Sequence, residues 1–372
     1  MLFSKPNRTD PVAGSSITFD DISRSYGALK AVDGVSLTIE AGEFISLLGP
    51  SGSGKTTLLM LLAGFEAPSS GQIRIGGRDV TFVPPNRRNI GMVFQRYALF
   101  PHLTVAQNIA FPLRMRRMRK ADIGRHVERI LGLVQLDGLQ ARLPHQLSGG
   151  QQQRVAVGRA LVFNPSVLLM DEPLGALDKK LREQMQIEIK QLHRSLGVSV
   201  IYVTHDQDEA LTMSDRVSVI HQGRLVQIGS PMELYLRPKD PFVADFVGKM
   251  NFIDAVVAGE HDGGRVLKIG ADADILVASV ALPEPVTAGR QVRVAVRPEQ
   301  LKLARPDQAP PHALRGMLET VIFVGSLQVF LVRVAGTLLH VHMLAGAGAG
   351  IFREGDEVLV AYDPAGLRIF GA

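Results

Sequence analysis

The stretch FISLLGPSGSGKTTLLMLLAG, residues 44–64, joins two patterns through one turn. FISLL reads as a short strand, and TTLLMLLAG as a helix that follows it. Between them GPSGSGKT, residues 49–56, fits G-x-x-x-x-G-K-[ST] in the strand-then-helix context that this pattern requires. Gly49, Gly52 and Gly54, with Ser51 and Ser53 between them, let backbone amides close around phosphate oxygens. Lys55 places a point charge on the outer phosphates, the Thr56 hydroxyl can ligate magnesium, and Thr57 continues the turn. A glycine-rich turn with no ligand would not need the lysine, the threonine, the strand and the helix together.

Outward from this turn, VLLM at 167–170 and SVIYVT at 199–204 read as buried parallel strands, and helical and strand patterns alternate as far as about Pro238. Asp171-Glu172 therefore falls at the carboxyl edge of a parallel sheet, where such sheets bind ligands. Asp171 is suited to hold magnesium, and Glu172 to orient or deprotonate a water aimed at a γ-phosphate. LSGGQQQR, residues 147–154, carries no base or nucleophile. Ser148 followed by Gln151 matches a capping box, which leaves the amides of Gly149, Gly150 and Gln151 as expected free donors to an anion at a helix N-terminus.

The expected organisation is a loose tail over 1–15, an α/β domain over 16–240 with a helical subdomain at about 97–150, and a second domain over 241–372. In the last region QVRVAV (291–296) and TLLHVHM (337–343) alternate as strands do, with glycines between, and predict an all-β fold. The helix LREQMQIEIKQLHRSL places Leu181, Met185, Ile189, Leu192 and Leu196 on one face for packing, with Gly197 to close it.

Composition limits the function classes. The chain has 372 residues, 46% hydrophobic, with a net charge of +5 and no cysteine, which excludes disulfides and thiolate metal sites. No apolar run reaches the roughly 20 residues that span a bilayer, and MLFSKPNRTD lacks the apolar core of a signal peptide. A location on the cytoplasmic side is expected. The basic run RMRRMRK, 114–120, has no interleaved aromatics and reads as a solvated helix or loop, so no nucleic-acid partner is expected. His340 and His342 share a strand face but have no acidic neighbour to complete a metal site.

With GPSGSGKT, Gln95, LSGGQQQR, LLMDEP, Asp178 and His205 in this order, residues 17–240 resemble the nucleotide-binding subunit of ABC transporters. The resemblance implies ATP and Mg2+ as ligands and roles by position. Tyr26, in RSYG, would stack on adenine; Gln95 would approach magnesium and the attacking water; His205 would contact the γ-phosphate; Asp178 would lie in a loop crossing a dimer interface. It further implies that two copies meet head to tail, so that Ser148, Gly149, Gly150 and Gln151 of one touch the nucleotide held by Lys55 of the other. Gly175 departs from the family pattern, where serine is common.

The C-terminal region, with NFIDAVV, VRPE and GSLQVFLV, resembles the OB-like (TOBE-type) β-domain appended to the ATPase subunits of bacterial importers. This implies transmembrane permease subunits as partners, a periplasmic or extracellular solute-binding protein acting indirectly, and a peripheral place on the inner membrane. FPLRMR, MDEPLGALDKKLREQMQIEIK and THDQDEALTMSDRV are most similar to the spermidine/putrescine branch. Motors for iron, sulfate, sugar or glycerol-phosphate are close alternatives. A soluble ABC ATPase of DNA repair or translation is a different class, and the long coiled coil, zinc cysteines or second ATPase half of such proteins are not in this chain.

Overall fold

The computed structural model describes residues 14–175, 177–261, 264–270, 273–278, 287–346 and 352–371. The tail expected over 1–15 lies outside the described residues apart from Gly14 and Ser15, as does Ala176 of LGALD. The chain divides between Lys239 and Asp240 into two compact units.

In the first unit a six-stranded sheet has the order Arg224–Gly229, Arg216–His221, Phe44–Leu48, Ser199–Thr204, Val167–Asp171, Ile90–Val93. All of its pairings are parallel except the edge hairpin of the first two. Its inner strands Phe44–Leu48, Ser199–Thr204 and Val167–Asp171 are buried on both faces, which explains their largely apolar runs. Leu168, Met170, Val200 and Tyr202 face one core, and Val167, Leu169, Ile201 and Val203 the other. The second core takes in the helix Lys55–Ala63 through Leu58, Leu59, Leu61 and Leu62, together with Ile17, Phe19 and Ile73 of an antiparallel four-stranded sheet.

The first core holds the two helices that fall in the segment expected to be helical, Val105–Met115 and Lys120–Leu133, and a third beyond it, Gly149–Leu161. Thr104 and Gln107 form a capping box at the first of these. Asn108, fully buried, ties the preceding loop down by donating to the carbonyls of Phe100, Leu103 and Thr104. RMRRMRK ends the first of these helices, makes the turn at 116–119 and starts the second, and in that turn Arg116 lies 3.8 Å over the ring of Phe163. The aromatic missing from the run is thus supplied by the turn that follows the helix Gly149–Leu161. The helix Lys179–Leu196 is capped by Asp178 and ends at Gly197, whose φ of 66° suits glycine. Its apolar face packs into the core, Met185 and Ile189 fully and Leu181, Leu192 and Leu196 in part.

The second unit is all-β apart from the short helix Pro241–Phe246 and single turns. One sheet has the order Ala273–Ala278, Gly264–Ile269, Asn251–His261, Gln291–Val296, Arg368–Gly371, and the other Lys302–Ala304, Glu357–Ala361, Ala313–Val324, Leu327–Val334, Thr337–Leu344. Every pairing within them is antiparallel. Alternate residues such as Leu267, Val294, Leu318, Val332 and Val341 share one core. Arg297 is buried and donates to the carbonyls of Ala244 and Lys249, satisfying groups at the end of the short helix and just beyond it. No helix among the described residues is long and apolar enough to cross a membrane.

Candidate functional site

Parallel register places the reactive side chains at one edge. Leu48 pairs with Thr204, Asp171 with Val203, and Val93 with Met170, so these strands end almost level. The loop of Lys55 leaves after Leu48, His205 follows Thr204, Glu172 follows Asp171, and Gln95 lies two residues beyond Val93. Because the strands are parallel, all four chain exits point the same way.

The 49–56 loop requires its glycines. A Cβ on Gly49 would stand 2.2 Å from the Ile220 carbonyl oxygen, and one on Gly54, where φ is 102°, 2.2 Å from that of Ala31. The helix begins at Lys55, so its first amides have no intrahelical acceptor. Lys55 is only 4% exposed, and its Nζ donates to the carbonyls of Gly49 and Pro50 at 2.7 Å each. Burial lowers its pKa, opposed by the charges of Glu172 and Asp171. A cation held dry in this way has strong reason to accept an anion.

The Thr56 hydroxyl donates to Asp171 Oδ1 over 3.2 Å. Burial raises the Asp171 carboxyl above the usual carboxylate range, while the bond from Thr56 works against that shift. Glu172 sits at a φ of 43°, its amide donating to the Val203 carbonyl. This turns its side chain out of the strand direction and between two neighbours. Gln95 Nε2 donates to Glu172 Oε2 at 3.0 Å, and His205 Nδ1 lies 3.0 Å from Oε1. One carboxylate is therefore gripped on both oxygens by residues of two other loops.

Ser148 accepts from the Gln151 amide at 3.4 Å, and Gln151 Oε1 accepts from the Ser148 amide at 3.0 Å. The capping box is formed, but the expectation that the Gln151 amide is a free donor is corrected: the Ser148 hydroxyl occupies it. No hydrogen bond joins Ser148–Gln151 to the Lys55 loop among the described residues. Asp178 accepts from the Leu181 amide at 3.0 Å as a helix cap. Tyr26 is exposed, its hydroxyl bonded to Glu66, and the Arg24 guanidinium lies 4.6 Å from its ring centroid. One ring face is already in use. Tyr26, Ser148–Gln151 and Asp178 thus stand apart from the Lys55–Asp171–Glu172–His205 cluster in their bonding.

Sequence reasoning missed the support beneath His205. Glu209, 2% exposed, accepts from the hydroxyls of Tyr202 at 2.8 Å and Thr204 at 2.7 Å. Its burial holds its carboxyl above the ordinary range, with those two bonds opposing. Arg182 bridges from the helix behind Asp178 to Asp206 at 3.1 Å and donates to the Leu177 carbonyl. In THDQDEA the acids Asp206, Asp208 and Glu209 look alike in sequence, and only the point where the helix starts turns Glu209 inward.

Comparison with known proteins accords with this geometry. Residues 32–175 match the ABC transporter family model, and residues 294–370 the TOBE domain model. The Spermidine/putrescine import ATP-binding protein PotA of Frankia alni is 48% identical over 91% of this chain and 74% of its own length. The protein of that name from Nitrosomonas europaea is 45% identical over 92% and 95%. Among solved structures, cbiO1 of Clostridium perfringens, part of the ABC transporter complex cbiONQ, gives a TM-score of 0.55 at 30% identity, over 59% of this chain and 89% of its own. MJ0796, a bacterial ABC transporter cassette solved as a dimer, gives 0.52 at 33%, over 58% and 98%. A phosphate-binding loop, a gripped carboxylate and a β-rich second unit on one chain, together with these matches, show that the protein belongs to the family of ABC transporter ATP-binding subunits.

Proposed function

We propose that this chain is the ATP-hydrolysing motor of an importer for polyamines, with Glu172 as the base that activates water. The observation that carries this reading is the double grip on Glu172 by Gln95 and His205 beside a dry Lys55. Lys55, now bonded to its own loop, exchanges a carbonyl for a γ-phosphate oxygen when ATP enters, and the amides of Gly52–Thr57 close on the phosphates. Thr56 and Asp171, with Gln95, form an all-oxygen donor set of the kind that suits Mg2+. Bound there, the ion would neutralise charge on the phosphates.

Glu172 then takes the proton of the attacking water, and His205 steadies the charge that develops on the γ-phosphate. Two copies join head to tail, Ser148, Gly149, Gly150 and Gln151 of one meeting the nucleotide on the other, while Asp178 lines the shared face and Tyr26 stacks on adenine by its open side. An isologous pair uses one patch twice. Because closure depends on the γ-phosphate, hydrolysis releases the pair and resets the permease.

The domain over 16–240 is this motor, with its helical part at about 97–150, and that over 241–372 steadies or regulates the dimer. The subunit works at the cytoplasmic face of the membrane, on a pair of permease subunits served by an external binding protein. Support for the solute comes from the names of the relatives and from the likeness of FPLRMR, MDEPLGALDKKLREQMQIEIK and THDQDEALTMSDRV to that branch.

The test replaces the chromosomal copy in its own host with a Lys55→Ala version and follows uptake of radiolabelled putrescine and spermidine. Loss of both uptakes, with glucose uptake intact, is expected. Unchanged polyamine uptake would assign the motor to another solute, and unchanged ATP affinity of the purified Lys55→Ala protein would overturn the site itself.

A further inference from the structure

The loop after Gln95 is held in an unusual backbone state. Tyr97 and Ala98 have φ of 57° and 46°, uncommon for any residue but glycine and more so for two in succession. The Ala98 amide donates to the Arg96 carbonyl at 2.6 Å, closing the rarer, strained form of γ-turn across Tyr97. Tyr97 is 7% exposed, and its hydroxyl has no hydrogen-bond partner among the described residues. A strained turn that also orphans a buried hydroxyl persists only where its surroundings over-determine it.

Arg159 is what holds it. Its Nη1 donates to the Ala98 carbonyl and its Nη2 to the Tyr97 carbonyl, both at 2.7 Å, and the guanidinium lies 5.7 Å from the centroid of Phe100. No carboxylate pairs with Arg159 among the described residues, so the fork is committed to these two carbonyls. A planar guanidinium spans two consecutive carbonyls in a way that an ammonium does not. Arg159 belongs to the helix Gly149–Leu161, whose first turn is the Ser148–Gln151 capping box. The other end of the strained loop is Gln95, bonded to Glu172.

We propose that Arg159 is a positioning residue that links the Ser148–Gln151 helix to Gln95, so that engagement of Ser148 by the partner copy's nucleotide is transmitted through the strained Tyr97–Ala98 turn to the carboxylate of Glu172. One rigid helix carries both the contact with the partner's nucleotide and the fork that grips the turn. A shift of that helix therefore moves or releases the loop, and the stored strain favours a second arrangement once the fork shifts. This rests on the reading of Ser148 given above.

The chain has no cysteine, so Arg96→Cys, at an exposed position within the turn, takes a single environment-sensitive fluorophore on the full-length protein. ATP is then added to this labelled protein and to versions that also carry Arg159→Lys, Arg159→Lys with Ala98→Gly, or Ser148→Arg. In the two Arg159→Lys versions we expect ATP affinity within about twofold and, in Arg159→Lys alone, loss of the ATP-induced signal and a fall in kcat of about tenfold to a hundredfold with KM little changed. Adding Ala98→Gly should restore part of kcat but not the signal, since glycine holds a positive φ without strain yet cannot carry the movement of the helix. Signal and kcat that survive Arg159→Lys would overturn the proposal, as would a loss of kcat that Ala98→Gly does not repair, the mark of a packing defect alone.

If Arg159→Lys does not fold, Ser148→Arg decides. A lost signal supports the link, and a retained signal with lost hydrolysis overturns it. Hydrolysis unchanged in Ser148→Arg would instead show that the reading of Ser148 had failed, and the proposal with it.

Discussion

In the first unit the strands Phe44–Leu48, Val167–Asp171 and Ser199–Thr204 run parallel, and their carboxyl ends deliver Lys55, Glu172 and His205 to one edge. In the second unit both sheets are antiparallel, so successive strand ends alternate between edges and no edge collects them. The buried polar groups differ accordingly. Lys55 in the first unit is dry and bonded only within its own loop, whereas Arg297 in the second is spent on the carbonyls of Ala244 and Lys249. Sheet direction thus separates a unit in which Lys55 and Glu172 gather at one edge from one in which no such edge forms.

Glu172→Gln should show the sharpest asymmetry. The amide cannot take a proton from water, so kcat should fall by about 10²–10⁴-fold with ATP affinity retained. Phosphate release measured beside equilibrium ATP binding checks it, and an unchanged kcat would move the base elsewhere.

Leu318→Ala tests the other unit. Leu318 is fully buried in the β core, and its truncation should cost that unit about 2–5 kcal/mol, seen as an earlier thermal transition. ATP affinity of the still-folded protein should not change; if it did, the chemistry would not be confined to the first unit.

Asp178→Ala removes the cap on Leu181 and should cost about 1 kcal/mol in urea denaturation. A larger loss in hydrolysis than in stability would give the same carboxylate a part in the dimer.

The smallest effect on stability concerns Asp171. Burial holds its folded pKa above the ordinary carboxylate value, so as pH falls from neutrality the native state takes up this proton before the unfolded state does. Its contribution to the stability of the nucleotide-free protein is therefore favourable near the unfolded pKa and is lost as pH rises through the folded one. Asp171→Asn should raise the neutral-pH Tm of the nucleotide-free protein by about 1–2 °C, abolish hydrolysis, and make no difference to Tm near pH 3.8. A lower Tm at neutral pH would mean that the Thr56 bond outweighs burial.

The Lys55 loop, the Asp171-Glu172 strand end and the capping box of Ser148 were all legible because each is local: a pattern of adjacent residues dictates backbone geometry within one turn. The strand alternation of the second unit was legible for the same reason, but not its two strand orders, which depend on pairings between distant segments such as Val292 with Gly371. RMRRMRK shows the limit plainly, since the aromatic beside Arg116 is Phe163, 47 positions on.

From its residues alone, this chain specified a glycine-rich phosphate loop, a pair of carboxylates after a buried strand and a β-rich second unit, since these are local patterns of charge, glycine and hydrophobic period. Tertiary structure alone decided that Glu172 is gripped by Gln95 and His205, that Glu209 turns inward among Tyr202 and Thr204, and that Arg159 holds the Tyr97–Ala98 turn. Such contacts arise where separate elements converge in space, and a hydrogen bond depends on ångström distances that no spacing along the chain encodes.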